Sequence, residues 1–482
     1  MTSARWIITV TVLLAGAAWT PIRAAGGPAA QGPDPQVRAH VDAFARALAS
    51  LDAEAFEAMA RDHFTPDLLA RRTPESRKEL VQRLKADFGT ITVGKVVATP
   101  DGTVVLEITG STDLAGRVEL TLEPVAPFRI AKMGLTAEAG GSAQAPRPAP
   151  TPAPISPAMP PAQMTAALDG YLRPMAAVDQ FAGVVLVARN GVPVYERAFG
   201  LADREKRTPI AAATRFNLGS INKIFTKTAI GQLIAAGRLS LTDTVGALLP
   251  DYPNPKARAA TVDQLLNHRG GIADFFSPEF DRAPKTRFRS NTDYYHFVAP
   301  LPLTFDPGTK TAYCNGCYVV LGAIIERISG VRYEDYIEAH VFRPAGMNGA
   351  AFLQADRFPA DVAIGYTTEG AGAAGARRSN EAFHGMSGSA AGGAYATAAD
   401  LLAFDNALRE RRLLDAKMTA WVLGGEEATT GRARGGIGVA GGAPGCNAAL
   451  DSDGEWTVAV VGNLDPPNAE RVAAALRQAL MR

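Results

Sequence analysis

Residues 138–163 read EAGGSAQAPRPAPTPAPISPAMPPAQ, and no packed core can be built from such a run. Its alternating Ala and Pro favour extended polyproline geometry, which has no internal hydrogen bonds. A chain interrupted in this way folds as separate regions on either side. The boundary predicts a smaller region at 35–137 and a larger one at 164–482. A length of 482 residues fits this division, since it exceeds what one domain usually needs.

The first 24 residues stand apart from both regions. Met1–Arg5 is a short basic head, Trp6–Trp19 is apolar, and small residues follow to Ala24 and Ala25. This order is that of a secretory leader cut near Ala24 or Ala25. The apolar run is shorter than the roughly 20 residues a membrane span requires. No cysteine lies beside the cut to carry a lipid. The mature protein is therefore expected to be secreted or periplasmic, with no stable membrane span after leader removal. Lys plus Arg is 49 and Asp plus Glu 48, a net of +1 with no basic tract. That balance leaves no electrostatic footprint for nucleic acid.

In the smaller region Val37, Val41, Phe44, Ala45 and Leu48 recur at helical spacing, and further helices are expected over about 54–63 and over Glu75–Phe88. The period then changes to two, with Val104, Leu106 and Ile108, and later Val118, Leu120 and Leu122. Asp101-Gly102 reads as a turn, and Leu114-Ala115-Gly116 as a break between strands. Helices followed by an antiparallel sheet make an α+β unit. It contains no nucleophile motif, metal cluster or phosphate loop. The pattern resembles the small cone-shaped domains of the NTF2-like group, which implies a structural or partner-contacting role.

In the larger region Phe181–Ala188 and Val192–Phe199 flank an Asn190-Gly191 turn, and Trp456–Val461 is a strand near the other end. Helices are expected at 163–178, 221–237, 261–267, 292–298, 316–329, 332–341, 397–410 and from Asn468 to Met481. The build is an antiparallel sheet drawn from both ends of the region, flanked by helices, with a helical insertion.

Three segments carry chemistry. Phe216-Asn217-Leu218-Gly219-Ser220-Ile221-Asn222-Lys223 places a hydroxyl at a helix start and an ammonium three residues on, on the same face. The helix N-terminus offers amides and positive dipole, and a partly desolvated lysine can lose its proton and act as a base. Tyr313-Cys314-Asn315 supplies a phenol and an amide. Beside a lysine, that phenol is expected to have a lowered pKa and to relay protons. The run from Gly438 to Gly445 lets backbone approach closely, so a sheet edge beside the serine can supply one amide of an oxyanion hole, the other being that of Ser220.

With these residues quoted, the region 165–480 resembles the serine hydrolases of the class C β-lactamase type, a group that includes D-alanyl-D-alanine peptidases, D-aminopeptidases and esterases. Ser220 and Lys223 match the family's nucleophile and its lysine, and Tyr313 and Asn315 its Tyr-x-Asn element. Leu265-Leu266-Asn267-His268, Phe305-Asp306-Pro307-Gly308, Phe342-Arg343-Pro344 and Ala391-Gly392-Gly393 follow in the family's order. The resemblance implies a β-lactamase-like fold and a serine acyl hydrolase. Its acyl-enzyme would form at Ser220, from a small ester, a D-amino-acid peptide or a related small-molecule or peptide substrate, cell-wall material included. No cofactor and no metal are implied. A catalytically weak ligand-binding or sensor protein that keeps the fold is one alternative, and a β-lactamase another. The chain departs from the family at Val439, where Lys or His begins the third element, and at Arg269-Gly270-Gly271, where Thr-Ser-Gly is usual. Valine cannot bind a substrate carboxylate, and His384 or Arg269 are the candidates to replace it. For the sheet-edge amide of the oxyanion hole the resemblance implies Gly442. His268 reads as a structural hydrogen-bonding residue. For Cys314, Cys317 and Cys446 the open readings are three buried thiols, a Cys314–Cys317 pair or a Cys317–Cys446 bond, with a metal site disfavoured for want of further ligands.

Overall fold

Asp34, Asp52 and Thr73 each accept a backbone N–H from two or three residues ahead and so begin a helix. The helices are α1 (Pro35–Ser50), α2 (Ala53–His63) and α4 (Pro74–Phe88), with the short α3 (Pro66–Arg71) between the last two. The computed structural model describes residues 34–139 and 159–481, except 72, 99–102, 112–113, 124, 369–376 and 428–429. The leader at 1–24, the Asp101-Gly102 turn and most of the Pro/Ala run lie outside the described residues. The described chain groups into two compact units.

In the N-terminal unit the helices are followed by β1 (Ile91–Ala98), β2 (Thr103–Gly110), β3 (Leu114–Leu122) and β4 (Ile130–Ala139), an antiparallel meander in that order. The period-two residues share one face: Val104 lies opposite Leu120 and Leu106 opposite Val118. That face closes on Phe44, Phe56 and Phe64. One expectation is corrected. Leu114-Ala115-Gly116 does not separate strands but lies inside β3, where Gly116 pairs with both Ile108 and Ala137. Two flanking ladders satisfy its backbone, which outweighs the local preference of glycine for a turn.

The second unit begins with α5 (Pro161–Ala177), β5 (Gly183–Arg189) and β6 (Val192–Phe199). Asn190 and Gly191 both take positive φ at the hairpin. A long helical stretch follows, containing α6 (Asn222–Ala235), α7 (Asn315–Ser329) and α8 (Ala398–Arg409). The chain returns as β7 (Ile437–Ala443), β8 (Cys446–Ser452) and β9 (Trp456–Gly462), and ends in α9 (Asn468–Leu480). The sheet runs β7-β8-β9-β5-β6 with antiparallel neighbours throughout. Its inner strands are apolar on both faces because both are covered. Val184, Leu186, Leu450 and Ala459 face the helical layer. Val185, Val187, Val458 and Val460 face α5 and α9 through Leu168, Leu172, Val472 and Leu476. The helix expected at 332–341 is α-helical over Tyr333–Ile337 and widens to a π-helix over Glu338–Phe342. Pro344 follows, and its ring would crowd the carbonyl four residues back in a regular helix.

Helix α8 is tied to the sheet by a fully buried ion pair. Arg409 Nε donates to Asp405 Oδ1 at 2.7 Å, and the other guanidinium nitrogens reach Ala433 O, Gly435 O and Ser452 Oγ. Ser452 and Thr457 hydroxyls donate to Asp405 Oδ2. Burial leaves neither charge water to fall back on. Arg409→Met is expected to lower stability by about 3–5 kcal/mol, because it strands the Asp405 carboxylate. Equilibrium urea unfolding of the variant against the parent measures it, and a loss below about 1 kcal/mol would contradict that account.

Candidate active site

Ser220 is held by backbone on two sides. Phe216 and Asn217 pair with Ala396 and Tyr395, and Leu218 N donates to Ala394 O at 2.9 Å. Asn217 Oδ1 accepts from Gly219 N at 2.9 Å. Gly219 sits at φ +50° and opens a 3-10 turn, Gly219–Ile221, that leads directly into α6. The edge strand β7 presses on this turn. A Cβ on Gly441 would lie 2.0 Å from Leu218 O and 2.6 Å from Ser220 N, and one on Gly219 would lie 2.8 Å from Gly442 N. No side chain fits there, so glycine is required at both points. The backbones that carry the Ser220 and Gly442 amides thus lie against each other, and both residues line the same cleft.

Lys223, the second residue of α6 and one turn on from Ser220, is 8% exposed. Its Nζ lies 2.7 Å from Asn315 Oδ1, 2.6 Å from Ala391 O and 3.0 Å from Ser220 Oγ. Desolvation pulls its pKa down to about 7, with Asp274 pulling the other way. As a neutral amine it has two N–H groups, which match Asn315 Oδ1 and Ala391 O. Its lone pair is then left to face the Ser220 hydroxyl. Asn315, the first residue of α7, donates its amide N–H to Asp274 Oδ2 at 2.8 Å, so its oxygen is fixed toward the lysine.

Tyr313 Oη lies 2.6 Å from Ser220 Oγ. The residue is 59% exposed, but its hydroxyl turns inward. The expectation of a lowered phenol pKa is corrected: burial raises it, reinforced by the Asp274 carboxylate and opposed by the Ser220 hydrogen bond. Tyr313 is therefore a protonated phenol that donates to Ser220 Oγ. Its ring stacks on His268 at 4.8 Å. His268 Nδ1 in turn accepts the Cys314 N–H at 3.1 Å, a structural arrangement. Cys314 caps α7 and is bonded to Cys317, one turn along, while Cys446 is a buried thiol. The three-thiol and Cys317–Cys446 readings are thus set aside.

The other sequence candidates lie differently. Val439 pairs with Leu450 on β7 and packs on the core. Arg269 donates to Gly308 O. His384 does line the cleft, yet burial pulls its pKa down to about 4, and it is neutral beside Asn380. The cleft at Ser220 encloses about 90 Å³; Phe275, Phe276, Phe280, Phe358 and Phe383 line it together with small and polar residues that include Asn217, Asn315 and Gly442. Sequence reasoning missed Asp274 and the Ala391 carbonyl. The first stands in no recognisable spacing, and the second is main chain, although Ala391-Gly392-Gly393 was marked as a family element.

The Beta-lactamase family profile matches residues 168–481. Penicillin-binding protein 4* of Bacillus subtilis (strain 168) is 34% identical over 171 residues, which are 35% of this chain and 37% of that protein. Esterase EstB of Burkholderia gladioli is 31% identical over 218 residues, 42% of this chain and 54% of that one. The chain thus spans about a third to a half of these relatives' length. The crystal structure of a penicillin binding protein from Bacillus halodurans superposes with a TM-score of 0.57 at 28% identity, covering 64% of this chain and 99% of that one.

The cysteine chemistry is directly checkable. Non-reducing peptide mapping is expected to recover Cys314 and Cys317 in one linked peptide. Burial pushes the Cys446 thiol up to about 12, so iodoacetamide at pH 8 should leave it unmodified in the folded protein and alkylate it after denaturation. Rapid alkylation of native Cys446 would show that the segment is open.

Proposed function

The chain belongs to the beta-lactamase family, and from that premise we propose that it is a secreted serine acyl hydrolase acting on an ester or amide through an acyl-enzyme at Ser220. The observation that carries this reading is the Lys223 amine, desolvated and anchored by two acceptors with its lone pair toward Ser220 Oγ. In the proposed acylation Lys223 takes the Ser220 proton as Oγ attacks the carbonyl carbon. The amides of Ser220 and Gly442 hold the oxyanion. As it collapses, the bond to the leaving group breaks and Tyr313 gives its proton to the departing atom, which leaves a phenolate beside the Lys223 ammonium. Water then gives a proton to that phenolate as it attacks the acyl carbon, and when this second adduct collapses the bond to Ser220 Oγ breaks, Oγ takes its proton back from Lys223, and the acid is released. Asn315 fixes the lysine and Asp274 fixes Asn315.

The relatives' names span penicillin-binding protein and esterase. Val439, where a cation would begin the third element, favours an ester or peptide over a β-lactam. It also favours the second reading, a ligand-binding or sensor protein of low turnover, which the assembled Ser220, Lys223, Tyr313 and Asn315 oppose. Export is proposed from the leader pattern and is supported by the Cys314–Cys317 bond, since disulfides persist in oxidising compartments. No helix among the described residues is long and apolar enough to cross a membrane. The N-terminal unit, with helices ahead of a four-stranded meander, is proposed as an NTF2-like domain with a structural or partner-contacting role.

Two sets of measurements test the reading. Intact-mass screening with esters, D-amino-acid peptides and β-lactams is expected to find an acyl adduct that Ser220→Ala abolishes together with turnover. Lys223→Ala should keep binding and lose most acylation, and Tyr313→Phe should lose roughly 100-fold or more in kcat. Undiminished hydrolysis by Ser220→Ala removes the mechanism, and an adduct without turnover favours the sensor reading. The acylation rate should also rise with pH through about 7 and level off, because the base is the deprotonated amine of Lys223. A rate that falls through that range would assign the essential group to the protonated form.

A further inference from the structure

We propose, resting on the hydrolase reading above, that the cleft selects substrates with an aromatic or bulky apolar body that bear a positive charge rather than a carboxylate, and that Glu381 is the residue that sets this charge preference. The apolar part follows from the walls. Phe276 lines the cleft and remains 50% exposed, although its ring meets Phe275 at 4.5 Å and Phe280 at 5.8 Å. Phe358, packed edge-on against Tyr395 at 5.0 Å, and Phe383 also line it. Such rings left open to water beside a nucleophile mark a place where a ligand's apolar surface is buried.

The charge preference follows from what the same walls lack. Among the described residues that line the cleft there is no lysine or arginine. Besides the phenols of Tyr294 and Tyr395, which burial keeps protonated, the ionisable ones are His384, which is neutral, and Glu381, exposed on the 3-10 turn Glu381–Phe383. The nearby guanidinium groups are turned to other work. Arg289 binds Asp356 and Gln354, Arg378 lies over the Phe383 ring at 5.1 Å, and Arg269 serves Gly308 O. Asp274 adds a second carboxylate behind Asn315. A substrate carboxylate entering here loses hydration and meets no lysine or arginine among the lining side chains. An ammonium meets Glu381 and the half-exposed ring of Phe276, both of which attract a cation, while Arg378 covers the Phe383 ring.

Three methyl esters of 3-phenylpropanoic acid, matched in length and carrying para-aminomethyl, para-ethyl or para-carboxylate groups, test this at pH 7.5. The aminomethyl group is ionised there and is nearly isosteric with ethyl. The kcat/KM is expected to be highest for the ammonium ester and at least tenfold lower for the carboxylate. Glu381→Gln should shrink the ammonium-to-ethyl ratio, by up to roughly fivefold for a solvent-exposed pair. Glu381→Lys should reverse the order of ammonium and carboxylate. A wild-type preference for the carboxylate ester, or a ratio that neither Glu381 variant moves, overturns the proposal. The Ser220→Ala protein run on the same esters separates the two readings. If it remains active, the hydrolase reading fails. If it is inactive while the charge order is wrong, the hydrolase reading stands and the proposed charge preference fails.

Discussion

The contact on which the site depends is between Lys223 Nζ and three oxygens, in a place water does not reach. In water that lysine would be an ammonium, and Ser220 an ordinary hydroxyl with no base beside it. Burial alone would lower the lysine's pKa without aiming its lone pair. Asn315 Oδ1 and the Ala391 carbonyl supply the aim, because they use the two N–H groups of the neutral amine and leave the third direction to Ser220 Oγ. Each acceptor is itself fixed by something else. Asp274 holds the Asn315 amide. The pairing of 395–396 with 216–217 ties the segment after Ala391 to the strand that leads into the serine. The base is thus assembled from segments about 90 and 170 residues away from it in the chain.

The sheet makes this assembly possible. β5 and β6 come from the start of the unit and β7 to β9 from its end, so the chain closes on itself and the helical insertion is clamped between. β7 is left as an edge strand. Most edges need protection from pairing. This one lies against the Ser220 turn, and the missing side chains of Gly441 and Gly219 let the two backbones meet. A glycine-rich run that would read as a loose connection is therefore a strand whose value is the reach of its main chain.

The site's side chains were legible in the sequence because their spacing is dictated by local geometry. Ser220 and Lys223 are one helical turn apart, and Tyr313 and Asn315 flank a helix start. The sheet's apolar strands were equally plain, since period two and β-branching persist over Phe181–Ala188 and Trp456–Val461. What escaped was of another kind. The Ala391 carbonyl has no side-chain signature. Asp274 matters only because the fold brings it to Asn315. The inclusion of Leu114-Ala115-Gly116 in β3 depends on neighbours on both sides. The protonation of Tyr313 turns on whether burial or the adjacent lysine dominates, and spacing is silent on that balance. Pairing of the cysteines was a choice among open alternatives until Cys314 and Cys317 were seen to share the first turn of α7.

The arrangement proposed to activate the serine also opposes folding, and its sign can be worked out. Lys223 has a folded pKa of about 7 against an ordinary lysine value of 10.5, so between those values the unfolded chain binds more protons than the folded one. Stability contributed through this group therefore rises with pH across that window and is lowest below it, where the buried amine must carry charge. Buried lysines that gain an acidic partner have their charge compensated. Here Asp274 lies beyond Asn315, near enough to moderate the shift without cancelling it. A carboxylate in direct contact with Nζ would keep the lysine protonated and the fold more stable, and would leave Ser220 without a base. Placing an amide between the two charges holds the lysine in position and leaves its proton affinity near the value at which it can both take a proton and give it back.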